Sequence, residues 1–253
     1  MLSDVPSAMA PPRLSIVIPA HNEARYLPRL IDSIEAATHA WGHGDAAVEA
    51  IVADNASTDG TADVAEARGC LVVPVAKRAI AAARNAGGNA ARGEIVCFVD
   101  ADTRIQSGTF GAIEQALASD RVVGGATGVT LERWSVGLAV TYALFLPMVW
   151  LTQFDTGVVF CRRRDFQAVG GYNERLRVAE DVAFLYSLRK LGRGRRQHLM
   201  RLRTVKAIAS TRKFDDHGDW HMFKTISGLL LARILGRTEA VREAERYWYD
   251  PGR

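Results

Sequence analysis

The chain is poor in cysteine, lacks a glycine-rich dinucleotide fingerprint and has no secretory start, and each absence removes a class of protein. Cys70, Cys97 and Cys161 are the three cysteines among 253 residues, and they lie far apart. They form neither a disulfide framework nor the close pairs of a zinc site, so a reducing, cytoplasmic setting is expected. After the first apolar run, where a dinucleotide-binding fold needs Gly-x-Gly-x-x-Gly, stands Pro19-Ala20-His21-Asn22-Glu23. That turn speaks against a nicotinamide or flavin oxidoreductase. Residues 1–12 hold no basic segment leading into an apolar core, so they read as a flexible Ala/Pro/Ser tail and not as a signal peptide.

What is present suits one soluble domain. Hydrophobic residues make up 48% of the chain, enough for a large core. The formal net charge of +4 hides an asymmetry: residues 1–130 carry 10 Lys/Arg against 15 Asp/Glu, and residues 131–253 carry 22 against 13. A basic second half could face phosphates, nucleic acid or an anionic membrane, and equally be a plain solvated face. No nucleic-acid partner is expected.

The centre of the chain is Ile95-Val96-Cys97-Phe98-Val99, followed at once by Asp100-Ala101-Asp102-Thr103. The apolar run reads as a buried strand that delivers two carboxylates to a sheet edge. Carboxylates at i and i+2 suit a hard divalent cation, which takes oxygen ligands and keeps places for substrate phosphates. Asp-x-Asp taken alone reads as readily as a turn with two solvated acids.

The segments before it repeat one unit of strand, polar turn and helix. Leu14 to Ile18 is a strand, and Asn22 is placed to cap a helix carrying Leu27, Leu30, Ile31 and Ile34 at helical spacing. Val48 to Ala53 is a second strand, with a polar turn from Asp54 to Gly60 and a helix from Thr61 to Arg68 that Gly69 ends. Leu71 to Val75 gives a third strand, and Ala79 to Ala91 a helix of small residues. The alternation predicts a doubly wound, mostly parallel α/β sheet with helices on both faces, whose ligands bind beyond the carboxyl ends of the strands.

These words, in this order, resemble the family 2 glycosyltransferases of the GT-A fold. The resemblance rests on Ser15 to Glu23, Asp54-Asn-Ala-Ser-Thr-Asp-Gly60, Ala83-Arg-Asn-Ala-Gly87 and Ala91 to Asp102. It resumes at Phe154-Asp-Thr-Gly-Val-Val-Phe-Cys161, Val169-Gly-Gly-Tyr-Asn-Glu174 and Glu180-Asp181, covering about residues 13–215. The set is specific for the family and silent about the sugar. It implies a nucleotide-sugar half over 13–125 and an acceptor half with the catalytic base over 126–215; the tail over 1–12 precedes them, and a C-terminal loop and helices over 216–253 are expected in the same domain.

The implied activity is inverting transfer of a sugar from a nucleoside diphosphate sugar to an acceptor hydroxyl. Uridine is favoured over guanosine by its frequency in the family. Asp102, with Asp100 on the cation or the ribose, is the implied Mn2+ or Mg2+ site. The cation would neutralise charge growing on the diphosphate, where one such contact is typically worth about 2.7–4 kcal/mol of barrier. Asp181 is the implied general base, at the start of a helix from Asp181 to Leu191 with Val182, Leu185 and Leu188 as its apolar stripe. Pro19, Ala20, Glu23 and Asp54 line the nucleoside pocket, and Arg84 contacts diphosphate or base; its other reading is a solvated helix arginine. Thr156, Gly157 and Glu180 fall to the donor or acceptor sugar. His217, in Ser210 to His217 beside Arg212, stands where related enzymes use a late histidine as a metal ligand, and reads as readily as a surface histidine.

Trp134 to Phe154 carries no charge over 21 residues, long enough to span a bilayer. A span there would put Asp102 and Asp181 on opposite sides of a membrane, so a buried segment is expected, or an apolar surface for a lipid-linked acceptor or a second subunit of a homodimer. Basic residues from Arg193 onward and an apolar series from Trp220 to Ile234 add an interfacial helix as a candidate for peripheral membrane contact. Two other function classes compete. Asp100-Ala101-Asp102-Thr103 also fits the opening of haloacid-dehalogenase-like phosphatases, but that motif opens their core and the segments before it here would go unexplained. A non-catalytic nucleotide-binding scaffold is disfavoured by intact acids at 100, 102 and 181.

Overall fold

The computed structural model describes residues 11–140, 143, 157–176, 179–212, 215 and 218. Its sheet contains β1 (Leu14–Ala20), β2 (Val48–Asp54), β3 (Leu71–Pro74), β4 (Ile95–Phe98), β5 (Val122–Leu131), β6 (Val159–Arg162) and β7 (His198–Ala209), in the order β3-β2-β1-β4-β6-β5-β7. Strands β3, β2, β1 and β4 run parallel, as the alternation predicts. Beyond β4 the sheet turns mixed, because β6 pairs antiparallel with both β4 and β5. The helices are α1 (Leu27–Trp41), α2 (Thr61–Ala67), α3 (Ile80–Ala90), α4 (Thr109–Leu117), α5 (Arg163–Ala168) and α6 (Glu180–Gly194).

Strand β4 is buried at every residue, and Val99 just beyond it is 2% exposed. The continuous apolar run from Ile95 to Val99 is therefore a central strand covered on both faces. Helix α1 buries Leu27, Leu30, Ile31 and Ile34, the stripe expected from the spacing. Pro28 opens its first turn, and Gly42 ends it at φ 76°, donating its N–H to the Thr38 carbonyl.

Asn22 does not cap α1, contrary to the sequence-based expectation. The helix begins only at Leu27, after Tyr26, with no side-chain cap. Asn22 instead adopts φ 55°, and its Oδ1 accepts from the Thr58 N–H at 2.8 Å. Its own N–H donates to Ser57 Oγ at 3.0 Å, while the Glu23 N–H donates to Thr61 Oγ1 at 2.9 Å. The turns after β1 and β2 are thus sewn to each other, which fixes both at the carboxyl edge of the sheet.

The small residues of α3 have a packing cause. A Cβ on Gly87 would lie 2.4 Å from Val17 Cγ1, and one on Gly88 would lie 2.6 Å from Phe166 Cζ. Only glycine lets α3 come this close to β1 and α5. Helix α6 starts one residue earlier than expected, at Glu180, after Ala179 in the left-handed region at φ 62°. It buries Phe184, Leu185 and Leu188, while Val182 is half-buried.

Two compact units divide the chain, residues 1–129 with 155–208 and residues 130–154 with 209–253. The elements around the carboxylates belong to the first. In the second, Glu132 N–H donates to the Ala209 carbonyl, Arg133 pairs with Asp215 at 2.5 Å, Leu138 is buried, and Trp134 and Val136 are exposed. Most of the uncharged stretch up to Phe154, and the apolar series after Trp220, lie outside the described residues. No helix among the described residues is long and apolar enough to cross a membrane.

Candidate active site

The segment beyond β4 meets the start of α6 around one side chain, Arg84 of α3. Its Nη2 donates to Asp100 Oδ1 at 2.9 Å, and its Nη1 donates to Asp181 Oδ1 at 2.6 Å and Glu180 Oε1 at 3.0 Å. The guanidinium carbon sits 5.2 Å from the Tyr172 ring centroid. Arg84 is 5% exposed at its side chain, so the reading of it as a solvated helix arginine fails. Three carboxylates from two segments distant in sequence, 100 and 180–181, converge on one buried cation.

The platform beneath is aromatic. Tyr172 stacks on Phe184 with centroids 4.2 Å apart and meets Phe98 edge-on at 5.0 Å. The Tyr172 hydroxyl is buried without a hydrogen-bond partner among the described residues. Burial pushes its pKa well above the ordinary phenol range, so it stays neutral. Asn85, next to Arg84, holds the turn that carries Tyr172. Its Oδ1 accepts from the Tyr172 N–H at 2.7 Å, and its Nδ2 donates to the Tyr172 carbonyl at 3.0 Å and to Glu174 Oε1 at 2.9 Å. Tyr172 and Asn85 stood in the recognised words Val169–Glu174 and Ala83–Gly87, but only tertiary contact gives them these roles.

The electrostatics follow from burial. Desolvation raises the Asp181 carboxyl to about 6; Arg84 pulls it down, and Asp100 and Glu180 push it up again. For Arg84, burial works against the charge, but Asp181, Asp100 and Glu180 together outweigh it and hold the guanidinium firmly protonated. Among the described residues, one cation faces three acids in this cluster.

The other expected residues take these places. Ala20 is buried at the end of β1 with Pro19 half-buried before it, and Glu23 is 9% exposed in the turn. Asp54 ends β2, its Oδ1 accepting from the Ser57 N–H at 3.3 Å. His21, between Ala20 and Asn22, places Nδ1 2.8 Å from the Asn55 carbonyl oxygen. Gly157 lies so close to β5 that a Cβ there would sit 2.4 Å from Thr127 Oγ1. Thr156 and His217 lie outside the described residues.

Among the described residues no group of three or more His, Cys, Asp or Glu side chains is placed to hold a metal. Asp100, 56% exposed at its side chain, and half-buried Asp102 offer an all-oxygen pair at the end of β4. Such a pair fits Mg2+ or Mn2+, which commonly bind through one or two carboxylates and complete their shell with substrate phosphates.

Comparison with known proteins bears on the fold. The fold is shared with the mannosyltransferase PcManGT of Pyrobaculum calidifontis in complex with GDP-Man and Mn2+, at TM-score 0.62 and 21% identity over 79% of this chain and 57% of that one. It is shared with S. aureus TarS 1–349 in complex with UDP, at TM-score 0.60 and 17% identity over 83% and 64%. It is shared too with glucosyl-3-phosphoglycerate synthase of Mycobacterium tuberculosis, in complex with Mn2+, UDP and glucosyl-3-phosphoglycerate, at TM-score 0.56 and 19% identity over 85% and 78%. An uncharacterized glycosyltransferase of Nostoc sp. (strain PCC 7120) is 38% identical over 96 residues, 36% of this chain and 28% of its own length. The chain thus spans less than two thirds of that relative and of the first two structures. The expected GT-A architecture is the one found. Residues 15–151, more than half of the chain, match the description Glycosyl transferase family 2, and the chain belongs to that family.

Proposed function

We propose that the chain transfers a sugar from a nucleoside diphosphate sugar to an acceptor hydroxyl with inversion, and that Asp181 is the general base. The observation that carries the reading is the placement of Asp181 and Asp100 on one guanidinium, 2.6 Å and 2.9 Å away. A base candidate and a donor-side carboxylate thereby share one site. In the reaction the acceptor oxygen bonds to the anomeric carbon as the bond from that carbon to the diphosphate oxygen breaks. The hydroxyl proton passes to Asp181, and the nucleoside diphosphate leaves. A carboxyl near pH 6 is ionised at neutral pH yet basic enough to take a proton late in such a step.

On the donor side, Asp54 at the end of β2 accepts from the base's imide N–H, and Pro19, Ala20 and Glu23 line the nucleoside pocket. Asp102 and Asp100 would hold a divalent cation, which supplies Lewis-acid stabilisation of the leaving diphosphate. Uridine diphosphate is the favoured carrier, in keeping with the UDP in the S. aureus and M. tuberculosis complexes; the P. calidifontis complex holds GDP-Man. Residues 13–125 serve the donor and 126–215 the acceptor, with Gly157, Thr156 and Glu180 at the sugars. A lipid-linked acceptor suits the exposed Trp134 and Val136 that open the uncharged stretch.

Calorimetric titration with UDP and with GDP, each with and without Mn2+, tests the donor side. Cation-dependent binding of UDP that Asp102→Ala loses is the expected result. Cation-independent binding, or full binding by the folded Asp102→Ala variant, overturns the assignment.

A further inference from the structure

Arg84 is where the donor side and the base side of the site join. Its two terminal nitrogens are divided between Asp100, beyond β4, and the pair Glu180–Asp181 that opens α6. Tyr172 lies against the guanidinium, and the remaining nitrogen, Nε, is buried without a partner among the described residues. The three acids differ in access: the side chains of Glu180 and Asp181 are 12% and 17% exposed, whereas that of Asp100 is 56% exposed. One buried cation cannot compensate three carboxylates in full, so a stronger hold on one weakens the hold on the others. Asp100 is the arm an incoming ligand reaches first.

We infer that Arg84 is a positioning residue shared between Asp100 and the Glu180–Asp181 pair, so that whatever engages Asp100 changes how firmly Arg84 holds Asp181. The inference rests on the reading of Asp181 as base and Asp100 as a donor-side group, and it gives Arg84 a role besides the diphosphate or base contact that the family resemblance implies. Donor engagement at Asp100 then withdraws that carboxylate from Arg84 and turns the guanidinium toward Asp181, which aligns the base after the donor is in place. By linkage the coupling is mutual: the state of the Glu180–Asp181 pair alters the affinity at Asp100. Among the described residues, the groups facing Asp181 are Arg84 from α3, Asp100 from beyond β4, Glu180 from its own helix and Tyr172 from the turn after α5. Neutralising Asp100 removes a like charge from this set, whereas neutralising Arg84 removes its cation.

The test follows the Asp181 carboxyl by 13C NMR titration of the ligand-free full chain. In the wild type the midpoint is expected at about 6. Asp100→Asn moves it down by about half a unit to one unit, and Arg84→Met moves it up by about one unit or more. If Arg84→Met does not fold, Asp100→Asn decides alone, since the Asp100 side chain is exposed. An Asp181 midpoint unmoved or raised by Asp100→Asn, or lowered just as far by Asp100→Asn when Arg84→Met is also present, overturns the coupling through Arg84. Because no ligand is present, this result is independent of the donor reading, which falls separately if the wild type binds neither UDP nor GDP.

Discussion

Lowering pH from 7 to 5 should cut transfer about tenfold through a single half-buried carboxyl. Asp181 has its midpoint near 6 because burial outweighs the help of Arg84, whereas an ordinary aspartate titrates at 3.8. At pH 5 about a tenth of Asp181 is ionised, so kcat/KM at that pH should stand at about one tenth of its plateau; an unperturbed base would still keep about nine tenths. The same shift has a sign for stability. The folded value lies above the unfolded one, so the folded chain holds the extra proton between those two values. Ionised Asp181 therefore costs stability above pH 6, and the cost fades as pH falls through the window from about 6 to 3.8. The difference corresponds to about 3 kcal/mol, for a side chain that is 17% exposed. Asp181→Asn, which keeps the shape and an acceptor for Arg84, should thus raise the urea-unfolding free energy at pH 7 by up to about 3 kcal/mol while lowering transfer roughly 10²–10⁴-fold. The pair of assays is a pH–rate profile with the donor that calorimetry identifies and urea unfolding at pH 7. An acid limb centred near pH 4, or an Asp181→Asn enzyme with unchanged transfer, refutes the reasoning.

Other perturbations probe the scaffold and the surface. Gly88→Ala places a methyl 2.6 Å from Phe166 Cζ, in a ring that is fully buried, and should cost about 1–3 kcal/mol in urea unfolding; a neutral result would mean that α3 moves away from α5 freely. Asn85→Ala strips two hydrogen bonds from the Tyr172 backbone and should cost about 1–3 kcal/mol, read by the same assay; an unchanged unfolding midpoint would show that the turn holds itself. Trp134→Ser with Val136→Ser should reduce cosedimentation with vesicles containing anionic lipid at low salt, and equal sedimentation of wild type and variant, or none by either, counts against lipid contact at these exposed residues.

Local patterning carried the parallel half of the sheet. Strands β1 to β4 and helices α1 to α3 are marked by apolar runs, 3.6-residue spacing and glycine stops, all interactions within a few residues of one another. The antiparallel insertion of β6 between β4 and β5 was not legible, because strand pairing between residues 95–98 and 159–162 depends on partners some sixty residues apart. Asn22 illustrates the same limit. Its residue type suits a helix cap, but a turn thirty-six residues later claims its amide.

The order of short words alone determined the family, the doubly wound start and the two aspartates beyond β4, since each is a property of residue type and spacing. The state of those acids was decided only by the tertiary structure. Arg84 reads in sequence as an arginine on a helix, and Asp181 as an acid at a helix start. Folding buries Arg84 against Tyr172 and brings Asp181 and Asp100 to the same guanidinium. Charge, burial and pKa depend on what surrounds a group in space, and that surrounding comes from segments that are far apart along the chain.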